Sequence, residues 1–269
     1  MSLALVQHKF EHIGARAKIR NPFSSRWRTQ EATSFQLDVL NDKHGPYFDI
    51  VVPAKETLEI EVLDVQKDWR HLLLMVRQQG RKDKFLCGHD ERHWFACAVP
   101  ERQVSNVRTA MEALKPSIVK AVQHRVGLNA RKQISRRNDA FLRQGEWFFI
   151  PESNLIVQDN LILRNEPIRR GWGSKAHKLE FAFRSGGDTV YVSDKYPTGL
   201  TVAEYQTLMR HDPQAKKQNF QVMKRDAGVY ARGRVSHADH KTIVLHEWHR
   251  VLMNTENEAP AARNIAFLD

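Results

Sequence analysis

The chain has 269 residues, 41% hydrophobic and 27% charged, and its 42 Lys and Arg against 31 Asp and Glu give a formal net charge of +11. Those proportions exclude a fully disordered or collagen-like chain, and no apolar run approaches the roughly 18 residues that span a bilayer. The opening segment is charged too early for a secretory signal, and two cysteines, Cys87 and Cys97, make no disulfide framework, so a cytoplasmic protein is expected.

The first half reads as strands. Phe35, Leu37 and Val39 alternate with polar residues, a turn-rich stretch runs from Asn41 to Pro46, and Phe48, Ile50 and Val52 resume the period of two, which predicts a hairpin. Leu58, Ile60 and Val62 alternate likewise, whereas Leu72 to Val76 is continuously apolar, as a strand buried on both faces would be. With Phe85 to Cys87 and Trp94 to Val99 these make an antiparallel sheet of about five or six strands. The period then changes. Val104, Val107, Met111 and Leu114 mark one amphipathic helix ending at Pro116, and Ile118, Val122 and Val126 mark a second that stops at Gly127.

Leu128 to Gln144 is a composition break. Beyond it, Trp147 to Ile150 reads as an aromatic strand, residues 155–163 as a short hairpin around Asp159 and Asn160, and Thr189 to Val192 as another strand. Thr201 with Glu204 three residues on predicts a capping box, opening a helix whose buried stripe is Val202, Tyr205, Leu208 and Met209. Val229 to Ser236 and Thr242 to Leu252 form a final hairpin, and the tail from Asn254 reads as loosely held. The expected fold is α+β. An N-terminal unit, 1–127, has an antiparallel sheet with one or two covering helices; a basic junction, 128–145, leads to a mostly β unit, 146–269, with one capped helix.

Charge is uneven along this plan. Residues 120–144 carry seven cationic side chains against the single acid Asp139; residues 9–28 carry six against Glu11, and residues 164–178 five against Glu166. Arg131, Lys132, Arg136, Arg137 and Arg143, helped by Arg169 and Arg170, suit a phosphate backbone, with Trp27, Trp147 or Trp172 at hand for stacking on bases. On this reading the chain binds DNA or RNA through counterion release. The plainer account is a set of solvated cationic faces, since no zinc finger, RNA signature or phosphate loop accompanies them.

A second constellation is chemical. His237, His240, His246 and His249 fall within thirteen residues, with Asp239 between the first two and His177 as a further candidate. Imidazoles with a carboxylate are transition-metal ligands, and a site with an open position activates water. His237, Asp239, His240, His249 and His177 therefore form the candidate site for a divalent metal ion, the alternative function being a metal-dependent hydrolase or nuclease. His246 and His249 differ by three positions and would face opposite ways on a strand. The Cys87 to His93 loop adds a thiol, two imidazoles and two acids, which suits either a Cys-His nucleophile or an ordinary polar turn. A third alternative is a non-catalytic adaptor for an acidic protein. The two basic readings share one premise, that the cationic segments face outward together.

Overall fold

The computed structural model describes residues 2–20, 35–53, 58–101, 103–170 and 174–264. Arg26, Trp27, Arg28 and Trp172, part of the basic-segment reading, lie outside them. Helix α1 (Leu3–His12) was not expected from the sequence; Ser2 caps it and Val6 and Phe10 are its buried positions. It leads into β1 (Ala17–Arg20), and the expected hairpin follows as β2 (Gln36–Asp42) and β3 (Gly45–Val51). β1 pairs with β3 in parallel, so these three strands make their own sheet in the order β1-β3-β2. β4 (Leu58–Gln66), β5 (His71–Gln78), β6 (Arg81–Asp90) and β7 (His93–Ala98) form a second sheet, an antiparallel meander.

Two sheets therefore stand where the sequence suggested one. The reason lies in β5, whose Leu72, Leu74 and Val76 face one core and whose Leu73 faces another. The first core joins both sheets to α1 through Phe10, Phe35, Phe48 and Phe85. The second is covered by α2 (Val107–Ala113), which Asn106 and Thr109 cap reciprocally. Helix α3 (Ser117–Arg125) turns away instead, burying Val119 against Phe141, Phe148 and Ile150. The meander is thus covered by α2 on one face and meets α1 through the first core on the other.

After the short α4 (Ala130–Gln133), the chain enters a six-stranded sheet through β8 (Leu142–Gln144) and β9 (Trp147–Pro151). The last part of the basic junction is thus a strand of this sheet. β10 (Leu163–Ile168), β11 (His177–Ser185), β15 (Gly228–Ser236) and β16 (Ile243–Met253) complete it in the order β10-β11-β15-β16-β9-β8. The hairpin expected over 155–163 is absent: Ile156 is 93% exposed and residues Asp159–Leu161 make a single 3-10 turn. Between β11 and β15 lie β12 (Asp188–Ser193), β13 (Tyr196–Thr201), α5 (Val202–His211) and β14 (Gln221–Arg225), the three strands forming a small sheet. The capping box at Thr201 and Glu204 is present. Its helix nonetheless buries no residue, because only the small sheet and a following turn lie against it.

The described part of the tail, residues 254–264, is not loose, while residues 265–269 lie outside the described residues. Thr255 donates its amide to the Leu114 carbonyl and its hydroxyl to that of Ala113, while Ala259 and Ala261 are buried in the first core. Small side chains suit that place, since they slide under packed β6 and β7 without displacing them.

His71, at the start of β5, donates from its Nδ1 to the Trp69 carbonyl at 2.5 Å. Its ring lies over Gly88, where a Cβ would stand 2.5 Å from His71 Cδ2. Burial, assisted by Arg143 and Arg136 and opposed by the Trp69 contact, pulls His71 down to about 4. Above about pH 6.5 the ring is neutral whether the chain is folded or not; below it the unfolded chain takes up a proton that the folded core refuses until about pH 4. Stability is therefore expected to fall as pH drops from about 6.5 to 4, His71 contributing up to roughly 3 kcal/mol. Urea midpoints across this range test it: His71→Asn should flatten the dependence, and an unchanged slope would refute the assignment.

Candidate metal centre

Strand register brings the histidines together. Lys178 on β11 pairs with Ser236 on β15, so His177 at the start of one strand meets His237 just past the end of the other. His240 follows on the same turn. The rings of His177 and His237 stack with centroids 4.1 Å apart, and those of His237 and His240 at 4.7 Å. One ligand nitrogen from each of the three lies within 4.8 Å of the others, a grouping able to hold a metal ion. Zinc bonds of about 2.0–2.1 Å place tetrahedral ligands roughly 3.3 Å apart, so binding asks the nitrogens to close by at most about 1.5 Å.

His177 is 1% exposed, and neither ring nitrogen has a hydrogen-bond partner; His240 Nδ1 is likewise buried and unpartnered. A neutral imidazole carries one N–H, so an unmatched buried ring costs on the order of 1–3 kcal/mol unless something ligates it. Burial first, then the neighbouring histidines, hold His177 down to about 3 and His240 to about 4. Both are neutral at ordinary pH, the form that binds metal.

The turn is clamped from two sides. Gln144, fully buried at the end of β8, donates from Nε2 to the Lys241 carbonyl at 2.7 Å and to the Val235 carbonyl at 3.3 Å. From the β6–β7 turn, Glu91 accepts the Lys241 amide at 2.7 Å and stands 3.8 Å from His240 Nδ1. Such outer carboxylates orient ligating histidines. Asp239 serves the site from outside it. Lys175 holds its Oδ2 at 2.7 Å and His93 approaches its Oδ1 at 3.8 Å. Burial works to raise the Asp239 carboxyl, but the Lys175 contact overrides it and keeps the group below its ordinary value. The Asp239 amide also donates to His237 Nδ1 at 3.1 Å, a contact that a metal ion at that nitrogen would replace.

His249 is not one of the three. It is buried on β16 with its Nδ1 bound to the Glu247 carbonyl, while His246 is exposed, the opposed facing that strand spacing implies. The thiol reading also fails on burial. Cys87 lies in the first core and Cys97 in the second, and desolvation pushes both thiols far above their ordinary range.

Several cations of the basic segments are taken up by acids of this chain. Arg143 donates to Asp90 at 3.1 Å, while Arg136 contacts Asp90 and reaches Glu91 at 2.8 Å. Arg170 pairs with the buried Glu256 at 2.6 Å, and Arg169 donates to the Ser174 carbonyl. In the N-terminal segment, Arg16 and Lys18 hold Asp42, and Arg20 holds Asp49. Of the seven candidate phosphate contacts, Arg131, Lys132, Arg137 and Arg169 are exposed, with Lys132 3.6 Å from Asp139. Neither Arg131 nor Arg137 has an acidic partner among the described residues.

His237 and His240 open into a cavity of about 560 Å³ whose lining also includes His93 and Lys175, while His177 stacks against both of them without lining it. Sequence reasoning missed Gln144 and Gly145, and placed Glu91 in the Cys87–His93 loop without its link to the histidine turn. Gly145 has a φ of +56°, and a Cβ there would stand 2.7 Å from His240 Nε2. Gly145→Ala is expected to displace His240 and to lower stability by more than the ~1–2 kcal/mol of left-handed strain alone. Gly127→Ala supplies the control, since Gly127 has a φ of +63° and open space around it. Equal losses in urea unfolding of the two variants would refute the close approach. Comparison with protein-family models, with curated proteins and with solved structures finds no match to this chain.

Proposed function

We propose that the chain is a metal-dependent hydrolase whose divalent ion, of the zinc class, is held by His177, His237 and His240. The observation that carries this reading is the buried, unpartnered His177 imidazole stacked against two further histidines at a cavity wall. Three neutral imidazoles leave a fourth position open, and an ion so held lowers the pKa of a coordinated water and polarises a bound carbonyl or phosphoryl oxygen. This chain's own groups supply the rest. His93 beside Asp239 is an imidazole and carboxylate pair at the rim, suited to moving a proton from water to a leaving group. Glu91 and Gln144 keep the ligand turn in register.

Protein purified without a histidine tag is expected to carry about one zinc-class ion per chain by elemental analysis. His177→Ala and His240→Ala should lose it, while His246→Ala, on the exposed side of β16, should keep it. Metal-free protein that takes up no zinc, manganese or cobalt would sink the proposal.

A second reading keeps the polyanion partner, favoured by one observation: Arg131, Lys132 and Arg137 remain exposed around α4. On that reading DNA or RNA is bound weakly and without sequence choice, and each neutralised phosphate adds about 0.9 to the salt slope on a duplex. The triple change of these residues to Ala should lower the slope by up to roughly three. Fluorescence anisotropy of a labelled duplex at several salt concentrations decides it, an unchanged slope removing the reading. An acidic protein docking on the same face would appear as retention of a defined partner after nuclease treatment.

A further inference from the structure

The cavity at the histidines carries information about what it admits, and this inference rests on the metal reading above. Its wall follows β7, from His93 beside the ligand turn to Cys97. Four steps along a strand cover roughly 13 Å. Towards Cys97 the wall carries the apolar side chains of Leu86, Phe95, Met111, Leu114 and Phe148, with the Arg170–Glu256 ion pair and Asn254 also in the lining. A cavity of about 560 Å³ falls within the ~300–1,000 Å³ of small-molecule sites.

Its charge contrasts with the rest of the chain. The lining contains five carboxylates, those of Asp38, Asp90, Glu146, Asp239 and Glu256. Against them stand four cationic side chains, Arg92, Arg143, Arg170 and Lys175. In a protein of formal charge +11, the cavity thus has one negative charge in excess, and one positive once a divalent ion is bound. Moreover, Arg143, Arg170 and Lys175 already hold Asp90, Glu256 and Asp239. A dianion or a polynucleotide entering here would bury charge without a matching surplus of cations.

We propose that the cavity binds a small, neutral or singly charged molecule, with its reacting group at the His177, His237 and His240 end and an elongated apolar body along β7 towards Leu114. It is not a channel for nucleic acid, and whatever polyanion affinity the surface has is separate from it.

Zinc-loaded protein tests this by calorimetry at pH 8 with three probes: acetohydroxamate, octanohydroxamate and octyl phosphate, which is dianionic there. Octanohydroxamate should bind at least tenfold more tightly than either of the others, and a twenty-nucleotide single strand should not displace it. Met111→Trp, filling the far end, should cut the advantage of the long chain below threefold while leaving acetohydroxamate affinity and zinc content unchanged. Leu114→Phe serves the same purpose should the first variant lose zinc. Tighter binding of octyl phosphate, displacement by the oligonucleotide, or a long-chain advantage that survives both variants would overturn the proposal. Failure to load zinc refutes the metal centre and this inference with it, whereas loaded protein indifferent to chain length refutes the inference alone.

Discussion

The carboxylates at the β6–β7 turn set the arrangement of everything around them. Asp90 and Glu91 leave the end of one sheet, receive Arg136 and Arg143 from the junction, and through Glu91 take the Lys241 amide of the ligand turn. Three segments far apart in sequence are tied at one place. Partly buried ion pairs of this kind add little to stability in net, because desolvation offsets most of the attraction, but breaking one strands its partner at a cost of several kcal/mol. The network therefore acts as a constraint on position. It fixes where the histidine turn sits relative to β7, and so where the cavity opens.

The same network explains why charge along the chain was a poor guide to charge on the surface. A run such as Arg131 to Arg143 shows its own sign and conceals its partners, because Asp90 and Glu91 lie some fifty residues earlier. The N-terminal run behaves alike: Arg16, just before β1, and Lys18 and Arg20 on it meet Asp42 and Asp49 on the neighbouring hairpin. Local clustering of cations becomes a binding face only where the fold brings no acids to it, and in the junction that leaves the residues about α4.

Local signals read well and long-range ones did not. The α+β class was legible in the change of period after Val99, and the β2–β3 hairpin, the capping box at Thr201 and the β15–β16 hairpin each stand where turn and cap chemistry put them. What escaped was packing. Val202, Tyr205 and Leu208 have helical spacing yet meet no core, and Ile118 and Val122 face Phe141 and Phe148 rather than the preceding sheet, while Val126 is exposed. Spacing says which residues share a face; it does not say what that face meets. The site followed suit. His237 and His240 were visible as a turn pair, and His177 as a candidate, but only the β11–β15 register joins them, and the β15–β16 register sets His249 opposite Ala231, away from them. Gly145 followed by a strand, and Gln144 before it, were the one local hint that a backbone approaches something closely there.

The return of residues 254–262 to the first core has a consequence for how the chain is made. Phe10, Phe48 and Phe85 emerge early in synthesis, but the core they build also contains Ala259 and Ala261, which emerge near the close of the described chain. That core waits, with an uncovered apolar flank, while more than a hundred intervening residues form their own sheet. Contacts of such sequence separation are slow to close and leave intermediates open to misassociation. Completion of the hydrophobic core and assembly of the cavity against β7 thus become late events of one cooperative step, in which the newest residues lock the oldest.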